Sequence, residues 1–281
     1  MKIIKSISDF RKNLSQTKKT GSIISFVPTM GFLHEGHLNL VRFAKQNSHV
    51  CVVSIFVNPT QFSPNEDLNR YPRDEARDLH LLEKEKCDFV FIPSIEEIYG
   101  YNYQTFVSVK NYSQLLEGEF RPTHFEGVAT IVLKLFNIVQ PNFAVFGQKD
   151  AQQVFIVKKM VKDLNLPVEI KVQPIIREAD GLAMSSRNIY LSSNERKEAL
   201  VINQALHTAK ALSETGEKSV KILKNKAIEI ISQSRIAQLD YVEVVDVETF
   251  EKVDKVEFPN TVYMLAAARF GKTRLIDNII L

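Results

Sequence analysis

Short apolar runs recur along the first part of the chain and alternate with segments of helical periodicity. Runs rich in β-branched and aromatic residues, each predicted to form a strand, are Ser22–Val27, Val50–Val57, Asp88–Ile92, Asn142–Phe146 and Val168–Ile176. Segments with helical periodicity lie between them at Leu38–Gln46, Arg73–Lys86, Val128–Val139 and Asp150–Leu164. Nearly continuous apolar strands that alternate with helices are typical of a parallel sheet covered on both faces. The pattern therefore predicts an α/β fold with a doubly wound parallel sheet.

The pattern changes near residue 176, where a polar and irregular stretch begins. Ser192 and Glu195 then have the S-x-x-E spacing of a helix capping box. The elements predicted beyond it are helices over Glu195–Ser213 and Ser219–Ser232 and strands over Tyr241–Val247 and Thr261–Ala267. We therefore predict a Rossmann-like domain over residues 1–176 and a second, smaller α+β domain over residues 177–281.

Composition narrows the class of protein. Of the 281 residues 44% are hydrophobic and 25% are charged, as in ordinary globular proteins, and the net charge of +3 is too small to indicate a nucleic-acid-binding surface. Cys51 and Cys87 both lie in apolar runs, so we expect buried, reduced thiols rather than a disulfide. The chain shows neither a signal-peptide pattern nor an apolar stretch near the roughly 20 residues that span a bilayer. These features predict a cytoplasmic protein that binds neither membranes nor nucleic acid.

The most informative polar segment is Met30–His37, directly after the first predicted strand. Ligands of open α/β sheets bind beyond the carboxyl ends of strands, and the start of the following helix favours phosphate. His34 and His37 are three residues apart and share a face of a helical turn. Gly36 lets a nucleotide approach the backbone. The spacing is one residue shorter than the zinc motif H-E-x-x-H, so nucleotide binding is favoured over a metal site or a simple surface pair.

Four further polar segments are candidates for the same kind of site, although each alone also fits an ordinary turn, cap or loop. They are Asn58–Phe62, Arg121–Gly127, Gly147–Asp150 and Met184–Asn188. Lys149 is a compact charge suited to phosphate, and Arg187 stands beside two serine hydroxyls. Gln152 and Gln153 begin the helix after Asp150 and are expected to face the same edge of the sheet. Gly271-Lys272-Thr273 ends like a phosphate-binding P-loop, but Ala266 stands where that motif requires glycine.

Together these segments resemble the pantothenate synthetases, a family of pantoate–β-alanine ligases. The resemblance covers nearly the whole chain, through PTMGFLHEGH, FVNPTQF, RPTHFEGVAT, FGQKDAQQ, MSSRNIYLS, DYVEVVD and AAARFGKTRLIDN. The motifs are individually modest, and their order and spacing make the match specific. The resemblance places His34–His37 with the HIGH element of a wider nucleotidyltransferase superfamily and Met184–Arg187 with its mobile loop.

The resemblance implies an ATP-dependent, Mg²⁺-requiring condensation of pantoate with β-alanine through a pantoyl-adenylate. It implies catalytic roles for His37, His34, Lys149 and Arg187. The ATP-binding residues it implies are Met30, Gly31, Phe32, Leu33, His34, Glu35, Gly36, His37, Gly147, Gln148, Lys149, Asp150, Ile176, Met184, Ser185, Ser186 and Arg187. The substrate-binding residues it implies are Gln61, Gln153, Asn58, Arg121 and His124. It also implies a homodimer and a lid function for the smaller domain, and it names no direct protein ligand of the metal.

One position departs from the family pattern, which more often has glutamate where this chain has Gln148. Two other functions remain open on the residues alone. A plain nucleotidyltransferase shares the His34–His37 element but does not explain Gln61 and Gln153. If the chain were a nucleotide-sensing or RNA-binding protein, we would expect its sequence to lack the catalytic histidine or to have a basic face, and it shows neither feature.

Overall fold

In the computed structural model, which describes residues 1–64 and 66–281, the chain divides into two units. The first comprises Met1–Gly147 and Gln152–Pro174, and the second comprises Gln148–Ala151 and Ile175–Leu281. This division falls two residues before the predicted boundary at residue 176. It also groups the short segment Gln148–Ala151, which we predicted in the first domain, with the second unit.

The first unit is built on a six-stranded parallel sheet. Its strands are β1 (Lys2–Ile4), β2 (Ile24–Thr29), β3 (Val50–Ile55), β4 (Phe89–Phe91), β5 (Phe143–Gly147) and β6 (Glu169–Gln173). Their order is β1-β4-β3-β2-β5-β6, and every neighbouring pair is parallel. After β2, the chain adds β3 and β4 on one side of that strand. It then crosses to the other side, where β5 and β6 lie. The predicted doubly wound parallel sheet is confirmed.

Helices flank this sheet because its inner strands β2, β3 and β5 are buried on both faces. They are α1 (Ile7–Lys19), α2 (Glu35–Gln46), α3 (Glu75–Lys84), α4 (Ile95–Tyr99), α5 (Glu117–Phe120), α6 (His124–Val139) and α7 (Ala151–Asp163). One core cluster joins Val27 and Val53 of the sheet with Val41 of α2 and Leu82 of α3. The sequence did not predict β1, α1, α4 or α5, since three of these are short and, among the described side chains of α1, only Phe10 and Leu14 are fully buried.

The second unit has its own core. Helices α8 (Ser193–Glu214) and α9 (Val220–Ile231) are followed by strands β7 (Ala237–Asp246), β8 (Val262–Phe270) and β9 (Thr273–Ile280) in an antiparallel sheet of order β7-β8-β9. Leu206, Leu223, Met264 and Phe270 belong to one buried cluster of helix and strand side chains. The smaller α+β C-terminal domain is thus confirmed as a fold class.

The second unit contains the predicted capping box, Ser192–Glu195, and the segment that resembles the end of a P-loop, Gly271–Thr273. Ser192 caps α8, and its backbone N–H donates to Glu195 at 2.8 Å, which confirms the capping box. Gly271 and Lys272 form the turn of a hairpin in which Phe270 pairs with Thr273, and Gly271 has a φ of 58°. The resemblance to a P-loop therefore reflects a turn that favours glycine. Among the described residues, no helix is both long and apolar enough to cross a membrane.

Candidate active site

The loop between β2 and α2 contains the first residues of the predicted histidine motif. Thr29 donates its hydroxyl to the Ser54 carbonyl at 2.7 Å and accepts the Gly31 N–H at 3.2 Å. Gly31 has a φ of 79°, and a Cβ there would lie 2.9 Å from a methyl carbon of Ile55. Both the left-handed backbone and the close approach require glycine at this position.

The carboxylate of Asp78, on α3, holds the rest of this loop. The backbone N–H groups of Phe32 and Leu33 donate to its two oxygens at 2.6 and 2.7 Å. Asp78 is 1% exposed, and burial raises the pKa of its carboxyl, although these two hydrogen bonds and Arg77 act in the opposite direction. Sequence reasoning missed this residue. The available signal was a carboxylate four residues before Leu82, on the buried face of a helix.

Replacing Asp78 with asparagine is expected to displace the loop that contains Phe32 and Leu33, while most of the fold is retained. The amide keeps one acceptor oxygen but turns an NH₂ group toward one backbone N–H, and an unsatisfied buried donor costs about 1–3 kcal/mol. We expect a lower melting temperature and a slower rate of the adenylation step that the family resemblance implies. Asp74→Asn is the matched control, because Asp74 is an exposed N-cap of the same helix and asparagine caps equally well. Equal rates in the two variants would exclude this role for Asp78.

The two histidines lie at the start of α2. His34 occupies the N-cap position, and its ring lies 4.0 Å from that of His37, measured between centroids, with a tilt of 34°. The His34 backbone N–H donates to Nδ1 of His37 at 3.4 Å. This assignment puts the proton of a neutral His37 ring on Nε2, which makes Nε2 a hydrogen-bond donor. Both rings are half-buried, and the N-terminus of α2 adds partial positive charge.

Glu35, the first residue of α2, is directed elsewhere. It is exposed and forms an ion pair with Arg42, which lies seven residues further along the same helix. Arg42 also pairs with Glu85, just after α3, at 2.6 Å. The hydrogen bonds that Arg42 donates to Glu35 and Glu85 raise its pKa, so its charge is permanent. Glu35 therefore helps to join α2 to α3.

Gln61 meets the histidine loop because β2 and β3 are parallel neighbours whose carboxyl ends share one edge. It ends a short 3₁₀ turn, Pro59–Gln61, and is 6% exposed. Its side-chain nitrogen lies 2.9 Å from the sulfur of Met30, and its oxygen accepts from Asn58 at 3.3 Å. The structure thus brings together two motifs that lie 31 residues apart.

The side chain of Asn58 is occupied by protein groups. Its nitrogen also donates to the Gly127 carbonyl at 3.0 Å, and its oxygen accepts from the hydroxyls of Thr60 at 3.1 Å and Tyr99 at 2.5 Å. Burial raises the pKa of Tyr99 to about 12, so this phenol is a neutral donor near pH 7. Asn58, predicted to bind substrate, is placed by these contacts beneath Gln61 as a support for the turn.

Arg121 and His124 also support the Gln61 turn. His124 Nδ1 lies 3.0 Å from the Gln61 carbonyl, and Arg121 lies 3.1 Å from Nε2. Because Nδ1 donates to a carbonyl and Nε2 accepts from a guanidinium, these contacts favour a neutral ring in one tautomer. Arg121 in turn pairs with Glu66 at 2.6 Å, with both side chains largely buried.

Gly127 permits the close contact between α6 and this turn. A Cβ at Gly127 would lie 2.5 Å from the Thr60 carbonyl oxygen and 2.6 Å from the Gln61 Cα. No larger residue fits without moving the backbone of the turn. Tyr99 and Glu66 were not singled out from the sequence, and Gly127 was named only as the end of a polar segment, since nothing local marks their contact with Gln61.

The two adjacent glutamines on α7 have different surroundings. Gln152 is 4% exposed, donates to the carbonyls of Tyr112 and Leu115, and accepts from the Glu117 N–H. The expectation that it faces the same edge as Gln153 is therefore wrong, because its amide is used to hold the segment before α5. Gln153 is half-buried.

In the second unit, the segment Gln148–Asp150 forms a 3₁₀ turn that contacts β9. The Asn278 amide donates to the carbonyls of both Gln148 and Lys149 at 3.0 Å. The Gln148 amide donates to the Asn278 oxygen at 3.1 Å. The Lys149 side chain is 21% exposed and lies 3.5 Å from the more exposed Asp150. Sequence reasoning missed Asn278, which lies near the end of the chain.

The second unit also brings Ile176 beside the predicted mobile loop. The Met184 N–H donates to the Ile176 carbonyl at 3.0 Å, so the two segments form a small antiparallel pair. Ser185 caps the 3₁₀ turn Ser186–Tyr190 by accepting the Arg187 N–H at 3.2 Å. Ser186 is 8% exposed, whereas Ser185 and Arg187 are half-buried.

A doubly wound sheet whose order reverses between β2 and β5, with a histidine pair starting the helix after β2, has the arrangement of a nucleotide-binding α/β enzyme. The family model described as pantoate–β-alanine ligase matches residues 2–280. The chain belongs to this family, and the resemblance found in its motifs is confirmed. The predicted enzyme class, a ligase of pantothenate biosynthesis, is confirmed with it.

Relatives of similar length support this assignment. The chain is 53% identical to the pantothenate synthetase of Caldicellulosiruptor bescii and 52% identical to that of Acetivibrio thermocellus, in each case over 280 residues that cover 100% of this chain and 99% of the relative. The crystal structure of pantothenate synthetase from Thermus thermophilus matches with a TM-score of 0.94 at 41% identity and 99% coverage of both chains. That of pantoate–β-alanine ligase from Francisella tularensis, complexed with β,γ ATP and β-alanine, matches with a TM-score of 0.81 at 36% identity, covering 100% of this chain and 97% of that one.

Proposed function

We propose that this chain condenses pantoate with β-alanine in two steps that consume ATP. In the first, a carboxylate oxygen of pantoate attacks the α-phosphorus, and pyrophosphate leaves as pantoyl-adenylate forms. In the second, the amine of β-alanine attacks the acyl carbon, loses a proton, and displaces AMP to give pantothenate. The family match over residues 2–280 carries this proposal, and the Francisella relative solved with β,γ ATP and β-alanine supports it.

The first unit provides groups suited to the adenylation step. Nε2 of His37 is assigned as a donor, and a donor directed at phosphate oxygens stabilises the charge that moves onto the leaving pyrophosphate. His34 and the backbone of Met30–His37 lie at the positive end of α2 and are proposed to bind ATP. No covalent intermediate on the protein is required, since positioning of the two reactants lowers the barrier.

Gln61 and Gln153 are proposed to bind pantoate, with Gln61 also near the β-alanine position. Amide groups recognise hydroxyl and carboxylate oxygens, and the turn carrying Gln61 is fixed on several sides by buried contacts. Asn58, Arg121 and His124 are assigned to holding Gln61 rather than to touching substrate. A site held this firmly keeps the attacking carboxylate in one orientation.

The second unit is proposed to contribute nucleotide contacts and to act as a lid. Lys149 is assigned to phosphate, Gln148–Asp150 to ATP, and the main chain of Ile176 to adenine, as the family resemblance implies. Gly147, which belongs to the first unit, is assigned to ATP as well. Met184–Arg187 is assigned to cover the phosphates. The hydrogen bond between Met184 and Ile176 supports a joint role for these two segments.

Mg²⁺ is proposed to enter with ATP rather than at a site formed by protein alone. Among the described residues, no three His, Cys, Asp or Glu side chains lie close enough together to hold a metal. Mg²⁺ keeps several waters and commonly binds through substrate phosphates with one or two carboxylates. Asp150 fits this pattern, since its carboxylate is 45% exposed next to Lys149. Mg²⁺ bound there would neutralise phosphate charge.

The assembly is proposed to be a homodimer formed through the first unit. Four exposed apolar side chains in this unit support the proposal: Tyr101, Phe106, Leu115 and Phe120. A partner subunit that covers Tyr101, which is 96% exposed, would remove apolar surface from water. Light scattering after gel filtration should give twice the 32.1 kDa chain mass, and a monomer would refute the dimer. The cytoplasm is the proposed location, because reduced thiols such as Cys51 and Cys87 persist there.

The test of the proposed reaction is exchange of labelled pyrophosphate into ATP with Mg²⁺ present and β-alanine absent. Exchange that depends on pantoate is expected, because adenylate formation is reversible before the amine arrives. Addition of β-alanine should then yield pantothenate and AMP in equal amounts. Folded protein that binds ATP but shows no pantoate-dependent exchange would exclude this substrate and favour a plain nucleotidyltransferase.

A further inference from the structure

Asn278 is a buried polar residue to which the proposed reaction gives no direct part. It is 1% exposed on β9, and three side-chain hydrogen bonds join it to the turn that carries Lys149. Its NH₂ group donates to two consecutive carbonyls, those of Gln148 and Lys149, at 3.0 Å. The two carbonyls belong to the peptide planes on either side of the Lys149 Cα, so holding both fixes the direction in which the Lys149 side chain leaves the backbone.

Asp277, the residue before Asn278, anchors the segment around Ile176 to the same strand, β9. Asp277 is 5% exposed and accepts from both terminal guanidinium nitrogens of Arg177, at 2.6 and 3.0 Å. Arg177 follows Ile176 and also donates to the Gly181 carbonyl at 3.2 Å. Asp277 further accepts the backbone N–H of Asn278 at 2.8 Å. Adjacent residues of β9 thus anchor Gln148–Asp150 and the Ile176 segment to one rigid element.

We propose that Asn278 is the positioning residue for Lys149. The inference rests on the proposed function of Lys149 at the phosphates. The Gln148 amide donates to the Asn278 oxygen, which leaves the Asn278 NH₂ group available to hold both carbonyls. The neutral residue at position 148 is therefore part of the clamp.

The experiment compares Asn278→Asp with Asn260→Asp in the full-length enzyme. The first keeps shape but removes both donors, while the second makes the same change at an exposed turn of the same unit. Misplacement of a catalytic group by about 1 Å can cost on the order of 100-fold in rate, so we expect Asn278→Asp to lower pantoate-dependent exchange by about 10- to 100-fold. The KM for pantoate should stay unchanged, since Gln61 and Gln153 lie in the other unit. Asn260→Asp should match wild type.

A double-mutant cycle with Lys149→Ala separates positioning from general damage to the fold. If Asn278 acts through Lys149, Asn278→Asp should have little further effect once the lysine is absent. Additive losses, or wild-type exchange by Asn278→Asp, would overturn the proposal.

Asn278→Ala provides a second route if the aspartate variant is unstable, because alanine removes both donors without adding a charge. It should also slow exchange while the KM for pantoate stays unchanged. An Asn278→Ala variant as fast as wild type would also overturn the proposal. Absence of exchange in the wild-type enzyme would instead count against the proposed function.

Discussion

His37→Ala is expected to lower the rate of pantoate-dependent pyrophosphate exchange by about 100- to 1,000-fold, the range for loss of one preorganised donor to a developing charge. His37 lies in the first turn of α2, and its Nδ1 accepts the His34 backbone N–H, which favours Nε2 as the donor to phosphate. The ring is half-buried, so alanine should leave the fold intact. The measurement is the exchange rate at saturating ATP and pantoate, with a circular dichroism spectrum to confirm folding.

His80→Ala is the matched control for this variant. His80 is an exposed residue of α3, and alanine favours a helix, so neither rate nor stability should fall. Wild-type turnover by a folded His37→Ala protein would contradict the role assigned to His37. Equal losses in both variants would show that the assay responds to histidine removal in general.

Lys149→Ala is expected to lower the exchange rate by two or more orders of magnitude and to weaken ATP binding. A positive charge at the phosphates should be worth roughly 3–4 kcal/mol in the transition state, by analogy with oxyanion donors. The structure supports a fixed position for this lysine, since the Lys149 carbonyl accepts from Asn278 and its side chain is only 21% exposed. Single-turnover adenylation, measured with ATP concentration varied, separates the effect on chemistry from the effect on binding.

Lys158→Ala is the control for the loss of one positive charge, because Lys158 is exposed on α7. It should retain the wild-type rate, whereas an unchanged rate in Lys149→Ala would exclude a phosphate role for that residue. Raising the salt concentration gives a further check, because dissolved ions screen the interactions of an exposed lysine such as Lys158 more than those of the partly buried Lys149.

The proposed roles are of two kinds: some side chains contact substrate, and others hold the contacting residues in place. His37, Lys149 and Gln61 are assigned to substrate, while Asp78, His124 and Asn278 hold their backbones or loops in place. Positioning residues of this kind use buried hydrogen bonds to main-chain groups, so their loss leaves unsatisfied polar atoms as well as a displaced site. Their variants should therefore lose stability and rate together.

Local patterns in the sequence were sufficient for the fold class and the family. The apolar runs predicted β2 through β5, because strands covered on both faces remain apolar at successive positions. The run Val168–Ile176 also predicted β6, which is more polar and has no buried residue. The Ser192–Glu195 spacing predicted the start of α8, because a capping box uses residues only three apart. The short edge strand β1, with three residues, gave no such signal.

What the tertiary structure alone decided is how the candidate residues are held. Phe32 and Asp78 are 46 residues apart, and Gln148 and Asn278 are 130 apart, so no local pattern relates them. Folding also decided that Asn58, Arg121 and His124 support Gln61, that Gln152 serves the segment before α5, and that Gln148–Ala151 groups with the second unit.

The sequence by itself determined which residue types stand at the ends of the strands, and hence the family and its chemistry. Periodicity and capping are fixed by neighbours along the chain, so they can be read without the fold. Hydrogen-bond partners and close backbone contacts are fixed by packing between distant segments, so only the tertiary structure could assign them.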